Sequence, residues 1–322
     1  MNQIELRRTF PILATALGLL SVTAYPANAV ITVYEGFQYD GLNDSLHGQP
    51  NDPGGTDTDA TGLGGTWSDT TGATNNMFIK SGSLAFGDLP TTGNSIGYLS
   101  NQQNDIFTRP LTGGATTSIS GSNEIWFSIL FEKLQNNFSA GEGGFAFSNQ
   151  TVGNSRIFLN DGTDGLAGFG FGPTTSGSDL TPYAWDGSSL ITGDAVISVP
   201  PNNGSTNTAG LNLGPVHLIV GQISFDTGSG GTDEYTLYDY QLSGGSVAGG
   251  TLSPIASTIE INVDQTTSQM LDTINLTRQV NVNYDELRIG TTLDDVLGAQ
   301  IPEPSSIMLL GLAGLGFLRR RR

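Results

Sequence analysis

Apolar side chains recur at every second position in several stretches of the chain. Ile125, Phe127, Ile129 and Phe131 fall on one face, with Trp126, Ser128, Leu130 and Glu132 opposite. Ile259, Ile261 and Val263 alternate with Thr258, Glu260 and Asn262, and Val280, Val282 and Tyr284 with Asn281, Asn283 and Asp285. Period-two alternation marks a β-strand with two distinct faces. Met77–Lys80, Ile96–Leu99, Gly144–Ser148, Ser155–Asn160, Val216–Phe225 and Glu234–Leu242 are further strand candidates. Turn clusters separate them at Gly113-Gly114, Asn160-Asp161-Gly162, Thr227 to Gly231 and Gly244-Gly245. No long run keeps a helical period, and no fixed repeat points to a propeller or solenoid. About a dozen strands exceed what one flat sheet holds, so the predicted fold is all-β, two antiparallel sheets packed as a sandwich.

Composition agrees with this pattern. The 322 residues include 45 Gly and 37 % hydrophobic residues. Gly and Asn permit the positive φ of tight turns, while Thr, Val and Ile suit a pleated surface. Without cysteine, disulfides, thiolate metal sites and a Cys nucleophile are excluded. The formal net charge is −18, with Arg7, Arg8 and Arg319 to Arg322 at the two ends. The body between them carries 6 basic and 28 acidic residues, a net of −22, which disfavours nucleic acid as a partner.

Both ends read as addresses. Arg7 and Arg8 precede the mostly apolar Phe10 to Leu20, and Ala27-Asn28-Ala29 is a small-x-small cleavage site. Residues 1–29 are therefore predicted to be a signal peptide, removed after Ala29 by signal peptidase. Arg7-Arg8-Thr9-Phe10 leaves the export route open between the general secretory and twin-arginine machineries. At the other end Pro302-Glu303-Pro304-Ser305-Ser306 precedes an apolar run from Ile307 to Leu318 and four arginines. A helix over that run spans about 18 Å against a hydrocarbon core of about 30 Å, so it predicts a marginal, transient stop in the inner membrane. The arginines would stay cytoplasmic.

Pro302, Glu303 and Pro304, the short apolar helix and the Arg cluster together resemble the PEP-CTERM sorting signal of Gram-negative bacteria. That resemblance implies recognition and cleavage by an exosortase, then release or transfer to the cell surface or extracellular polymer matrix. The chain thus divides into a signal peptide (1–29), a β-sandwich (30–300) and a sorting segment (301–322). The body also resembles concanavalin A-like, laminin-G-like jelly rolls. The residues that carry this likeness are Tyr34 to Tyr39, Gly65-Thr66-Trp67, Val216 to Gly221, and Asp285 to Thr291. It implies a final core-lining strand with Leu287 and Ile289 facing inward.

Candidate chemistry is sparse. The alternating carboxylates of a glucanase strand are missing, and Glu124 and Glu132 would lie about 27 Å apart along a strand. Asp233-Glu234 and Asp285-Glu286 are adjacent, read as solvated acids at strand edges. His217 reads as an ordinary strand position, and no motif accompanies it or His47. No catalytic residue is assigned, and the protein is expected not to be an enzyme. A loop rich in oxygen donors, Asp40, Asn43, Asp44, Asp52, Asp57 and Asp59, is a calcium candidate, although a solvated loop explains the same composition. Among the aromatics Trp185, in Pro182-Tyr183-Ala184-Trp185-Asp186-Gly187, looks loop-borne and is the sugar-stacking candidate. The expected role is a structural or adhesive component of the surface or matrix. A carbohydrate-binding module directed at extracellular polysaccharide, with or without calcium, is the alternative, with a hydrolase third.

Overall fold

A computed structural model of the chain describes residues 31–49, 60–69, 77–97, 105–134, 144–153, 164–173, 180–193, 214–226, 231–265, 269–278 and 282–298. The signal peptide, the sorting segment and the candidate strand Ser155–Asn160 lie outside them. Along the chain come β1 (Val33–Glu35), β2 (Ser68–Asp69), β3 (Phe78–Lys80), β4 (Ser95–Gly97), β5 (Asp105–Pro110), α1 (Gly113–Ser120), β6 (Glu124–Lys133), β7 (Gly144–Ser148) and β8 (Ala167–Pro173). There follow β9 (Leu180–Asp186), β10 (Leu190–Thr192), β11 (Val216–Ser224), β12 (Asp233–Ser243), β13 (Ser246–Pro254), β14 (Ile259–Ile261), β15 (Thr273–Arg278), β16 (Val282–Gly290) and α2 (Leu293–Val296).

They form the expected two-sheet sandwich. One sheet runs β13-β12-β11-β6-β16-β4-β3, with β1 beside β16 and β14 beside β12; the other runs β10-β9-β8-β7-β15-β5-β2. Neighbours in both sheets are antiparallel. The alternation in β6 sends Ile125, Phe127, Ile129 and Phe131 into the space between the sheets. There Phe127 meets Phe145 with ring centroids 4.8 Å apart, and Phe131 meets Phe171 at 5.9 Å. Each such pair adds about 0.5–1.5 kcal/mol beyond its area. The opposite face of β6 is also covered, because Trp126 and Leu130 lie beneath Phe86, Leu89, Tyr240, Val296 and Leu297. Ser128 on that face donates from its Oγ to the Val296 carbonyl at 2.7 Å.

In β16 the inward positions change parity. Val282 and Tyr284 face the core, and so do Leu287 and Ile289. A bulge between Asp285 and Arg288 accommodates the switch, with Glu286 at φ 51. One extra residue shifts every following side chain to the other face. Both inward sets expected from the sequence are therefore satisfied. The bulge also carries Asp285 and Glu286 inside, each 0 % exposed, and Asp233 is buried as well. This corrects the reading of Asp233, Asp285 and Glu286 as solvated: Asp233 accepts from the Val263 and Asp226 amides at 2.7 and 3.1 Å, and backbone amides and side chains donate to the other two, as described below.

Two further local expectations need correction. Gly113-Gly114 opens α1 rather than a turn. Thr112 caps it by accepting from the Ala115 amide, and Ala115 and Ile119, one turn apart, are buried in the core. Pro182 to Trp185 lie within β9, not on a loop. Leu180 and Ala184 face the core, while Tyr183 and Trp185 pack on the outer face with Ile106, Ala146, Val152 and Leu166. Both faces are apolar, so the strand shows no polar alternation.

The start of the body is tied across the sandwich. Glu35 on β1 is 0 % exposed and accepts from the Phe37 amide and the Tyr39 hydroxyl, both at 2.8 Å. Arg109 on β5, in the other sheet, pairs with it and donates to Tyr39 Oη at 3.1 Å. Trp67 Nε1 donates to the same oxygen at 3.0 Å. Phe37 stacks on Trp67, with centroids 6.1 Å apart.

Candidate functional site

Three segments distant in sequence meet on the outer face of the larger sheet and enclose a cavity of about 590 Å³. The first is the β12–β13 hairpin. Gly244 and Gly245 have φ 61 and 86, the left-handed pair that a two-residue hairpin turn requires. Tyr240 lies under β13, and its hydroxyl donates to the Val247 carbonyl at 2.7 Å. Gly250 permits this approach, since a Cβ there would come within 2.5 Å of the Tyr240 ring.

The second segment is the 81–94 connection between β3 and β4. Its Asp88 accepts from the Val247 amide and the Ser246 hydroxyl, each at 2.7 Å. These hydrogen bonds favour the ionised form and hold the carboxyl below the usual range. The third is α2, short but well capped: the Thr292 side chain accepts from the Asp295 amide, and Asp295 accepts from the Thr292 amide at 2.9 Å. Leu293, Asp294, Leu297 and Gly298 face the cavity from this side.

Behind the wall sits a buried charged group. Arg288 is 3 % exposed, and its Nη2 donates to the Pro90 carbonyl and to Glu286. Its Nη1 has no hydrogen-bond partner among the described residues and lies against Gly298, where a Cβ would come within 2.9 Å of it. Glu286 also accepts from the Thr92 amide and from the Tyr34 hydroxyl. Asp285 accepts from the Leu84 amide at 2.7 Å and the Glu286 amide at 2.8 Å. Burial first, and the neighbouring Glu286 second, push the Asp285 carboxyl up to about 9. Burial also raises Glu286, with Arg288 opposing it. The Tyr34 hydroxyl is raised by burial and by Glu286.

The cavity thus presents two carboxylates, Asp88 and Asp294, beside an apolar wall of Leu293, Leu297, Val247 and Pro90. Planar acceptors next to an apolar surface suit a ligand with hydroxyls on its edge and C–H groups on its face.

The residues singled out from the sequence lie elsewhere. Asp40, Asn43 and Asp44 are exposed in a loop held by the Asn43 amide to the Ile79 carbonyl at 2.8 Å. Among the described residues no three His, Cys, Asp or Glu side chains are grouped to hold a metal ion. Asp52, Asp57 and Asp59 fall outside the described residues, as do Ala27, Ala29, Pro302, Glu303 and Pro304. Trp185 is 0 % exposed and stacks on Tyr183, with centroids 6.3 Å apart, so no ring face is open to a sugar. His217 sits at its strand position in β11 with Nδ1 3.2 Å from Asp239. Asp88, Asp294 and Arg288 carried no signal as a site, because nothing in the sequence joins three separate segments.

The family comparison reaches the end of the chain. Residues 300–322 match the PEP-CTERM protein-sorting motif. The tail is a sorting signal of that type. A PEP-CTERM tail implies an exported protein that transits a membrane and is processed by an exosortase. Among the described residues no helix is long and apolar enough to cross a membrane. No curated protein matches the chain. Solved structures similar to it include the T. cruzi calreticulin globular domain, at 12 % identity over 80 % of this chain and 95 % of that one, with a TM-score of 0.43. Alginate lyase Aly36B is 14 % identical over 81 % and 98 %, with a TM-score of 0.38. The VIP36 exoplasmic/lumenal domain, in its Ca2+/Man3GlcNAc-bound form, is 8 % identical over 68 % and 84 %, with a TM-score of 0.35.

Proposed function

We propose that this protein is a non-catalytic component of the cell surface or exopolysaccharide matrix of a Gram-negative bacterium, where its sandwich holds a polysaccharide unit. The PEP-CTERM tail supports the destination. The cavity between α2, the 81–94 connection and the β12–β13 hairpin supports the binding role. Its decisive feature is Asp88, a carboxylate fixed by two hydrogen bonds beside an apolar wall. A sugar ring offers the complementary hydroxyl edge and C–H face.

The test is a glycan array probed with the processed protein, with and without chelator, alongside Asp294→Ala. Saturable binding to a subset of glycans, weakened at least about tenfold by the substitution (about 1.4 kcal/mol), is the expected result. Silence across the array, or binding indifferent to Asp294, would remove the cavity from the account. Loss of binding in chelator would add calcium as a co-ligand, with the loop of residues 40–59 as its proposed seat.

A further inference from the structure

The beginning of the described body and the end of its last strand meet at one place. The Thr32 amide donates to the Ile289 carbonyl at 2.9 Å, and β1 runs antiparallel to β16 with Val33 opposite Ile289. Thr32, three residues after the expected cleavage site, therefore lies beside the end of β16, where the chain turns into α2. That helix rests on β16 and β6, the middle of the larger sheet, with Val296 and Leu297 buried. Gly298, which follows α2, accordingly lies on a broad face of the sandwich, against Arg288 and Pro90.

The tether is short. Ala299, Gln300 and Ile301 alone separate Gly298 from Pro302. At about 3.6 Å per residue, Pro302 stays within about 14 Å of Gly298. A path of seven strands at about 4.8 Å spacing is about 30 Å across. From α2, over the middle of the sheet, either edge is about 15 Å away, no less than the length of the tether, so this face stays turned towards whatever grips Pro302-Glu303-Pro304. Its rim carries Asp88 and Asp294, and among the described residues no cationic one lines the cavity. An anionic lipid surface would be repelled, whereas a protein surface bearing cations would not.

We infer that the face formed by α2, Pro90 and the β12–β13 hairpin docks on the exosortase while the tail is cut. The inference rests on the sorting reading above. Conversion of the full chain to its trimmed form is followed by pulse-chase in producing cells. Asp294→Lys, at an exposed position, should slow trimming about five- to tenfold and leave the melting temperature of the body nearly unchanged. With a spacer of Gly and Ser inserted after Gly298, the body can turn aside and the same substitution should lose most of its effect. An unchanged or faster rate for Asp294→Lys overturns the docking face, a faster one pointing to lipid as the surface met. Equal slowing with and without the spacer overturns it too. Should Asp294→Lys lower the melting temperature, Asp294→Asn replaces it and must show a smaller slowing in the same direction. A chain with Pro302, Glu303 and Pro304 changed to Ala separates the two failures. Normal trimming of that chain sinks the sorting reading itself, and blocked trimming keeps it whatever Asp294 does.

Discussion

Two buried acid clusters in this sandwich are built on opposite charge balances. Glu35 is paired across the two sheets with Arg109, and Tyr39 links both to Trp67. Charge is matched there, and the cluster serves as a strut. At the bulge of β16, Asp285 and Glu286 share one cation, Arg288. Two carboxylates cannot both ionise cheaply in a dry site, and Asp285 retains its proton up to about pH 9. Equal burial therefore leads to different chemistry, decided by the ratio of acids to cations.

The largest effect is expected where balance is complete. Arg109→Met strands a buried carboxylate and should cost about 3–5 kcal/mol, read by urea denaturation. Arg288→Met should cost less, because its acids can take up protons, and the loss should be smaller at pH 5 than at pH 8. Equal losses at the two pH values would show that Asp285 and Glu286 take up no proton when Arg288 is removed. The smallest effect is a slope. The carboxyl of Asp285 is raised on folding, so the folded state binds more protons than the unfolded one. The stability it contributes is present below the unfolded pKa near 4 and is lost as pH rises towards 9. The melting temperature should fall across that window, and Asp285→Asn should flatten the fall. A slope unchanged in Asp285→Asn would place the proton elsewhere.

The contrast also shows where sequence patterns stop. β6 was legible because Ile125, Phe127, Ile129 and Phe131 recur at every second position, and the β12–β13 turn because Gly244-Gly245 readily takes positive φ. The C-terminal tail was legible because its signal is local. β9 was hidden by apolar residues on both faces and by Pro182. α1 was hidden because Gly113-Gly114 and two threonines favour turns, and only the burial of Ala115 and Ile119 makes it helical. The burial of Asp285 and Glu286 depends on one positive φ at Glu286, a conformation that a glutamate gives no reason to expect. The cavity was illegible for a different reason: Asp88, Tyr240 and Asp294 become neighbours only after the sheet has formed.

The pairing of Thr32 with Ile289, at one end of the β1–β16 pair, also fixes how the body bears load. A pull on both ends while they are anchored would act at the same end of the β1–β16 pair. In that arrangement antiparallel strands open one hydrogen bond at a time, starting with Thr32 and Ile289, instead of sharing the force along their length. The first pieces to yield would be a three-residue strand and a four-residue helix, leaving the contact of β6 with β11 intact. The fold thus has a mechanical weak edge facing its anchors and a strong interior behind it, and cutting either tether removes the strain.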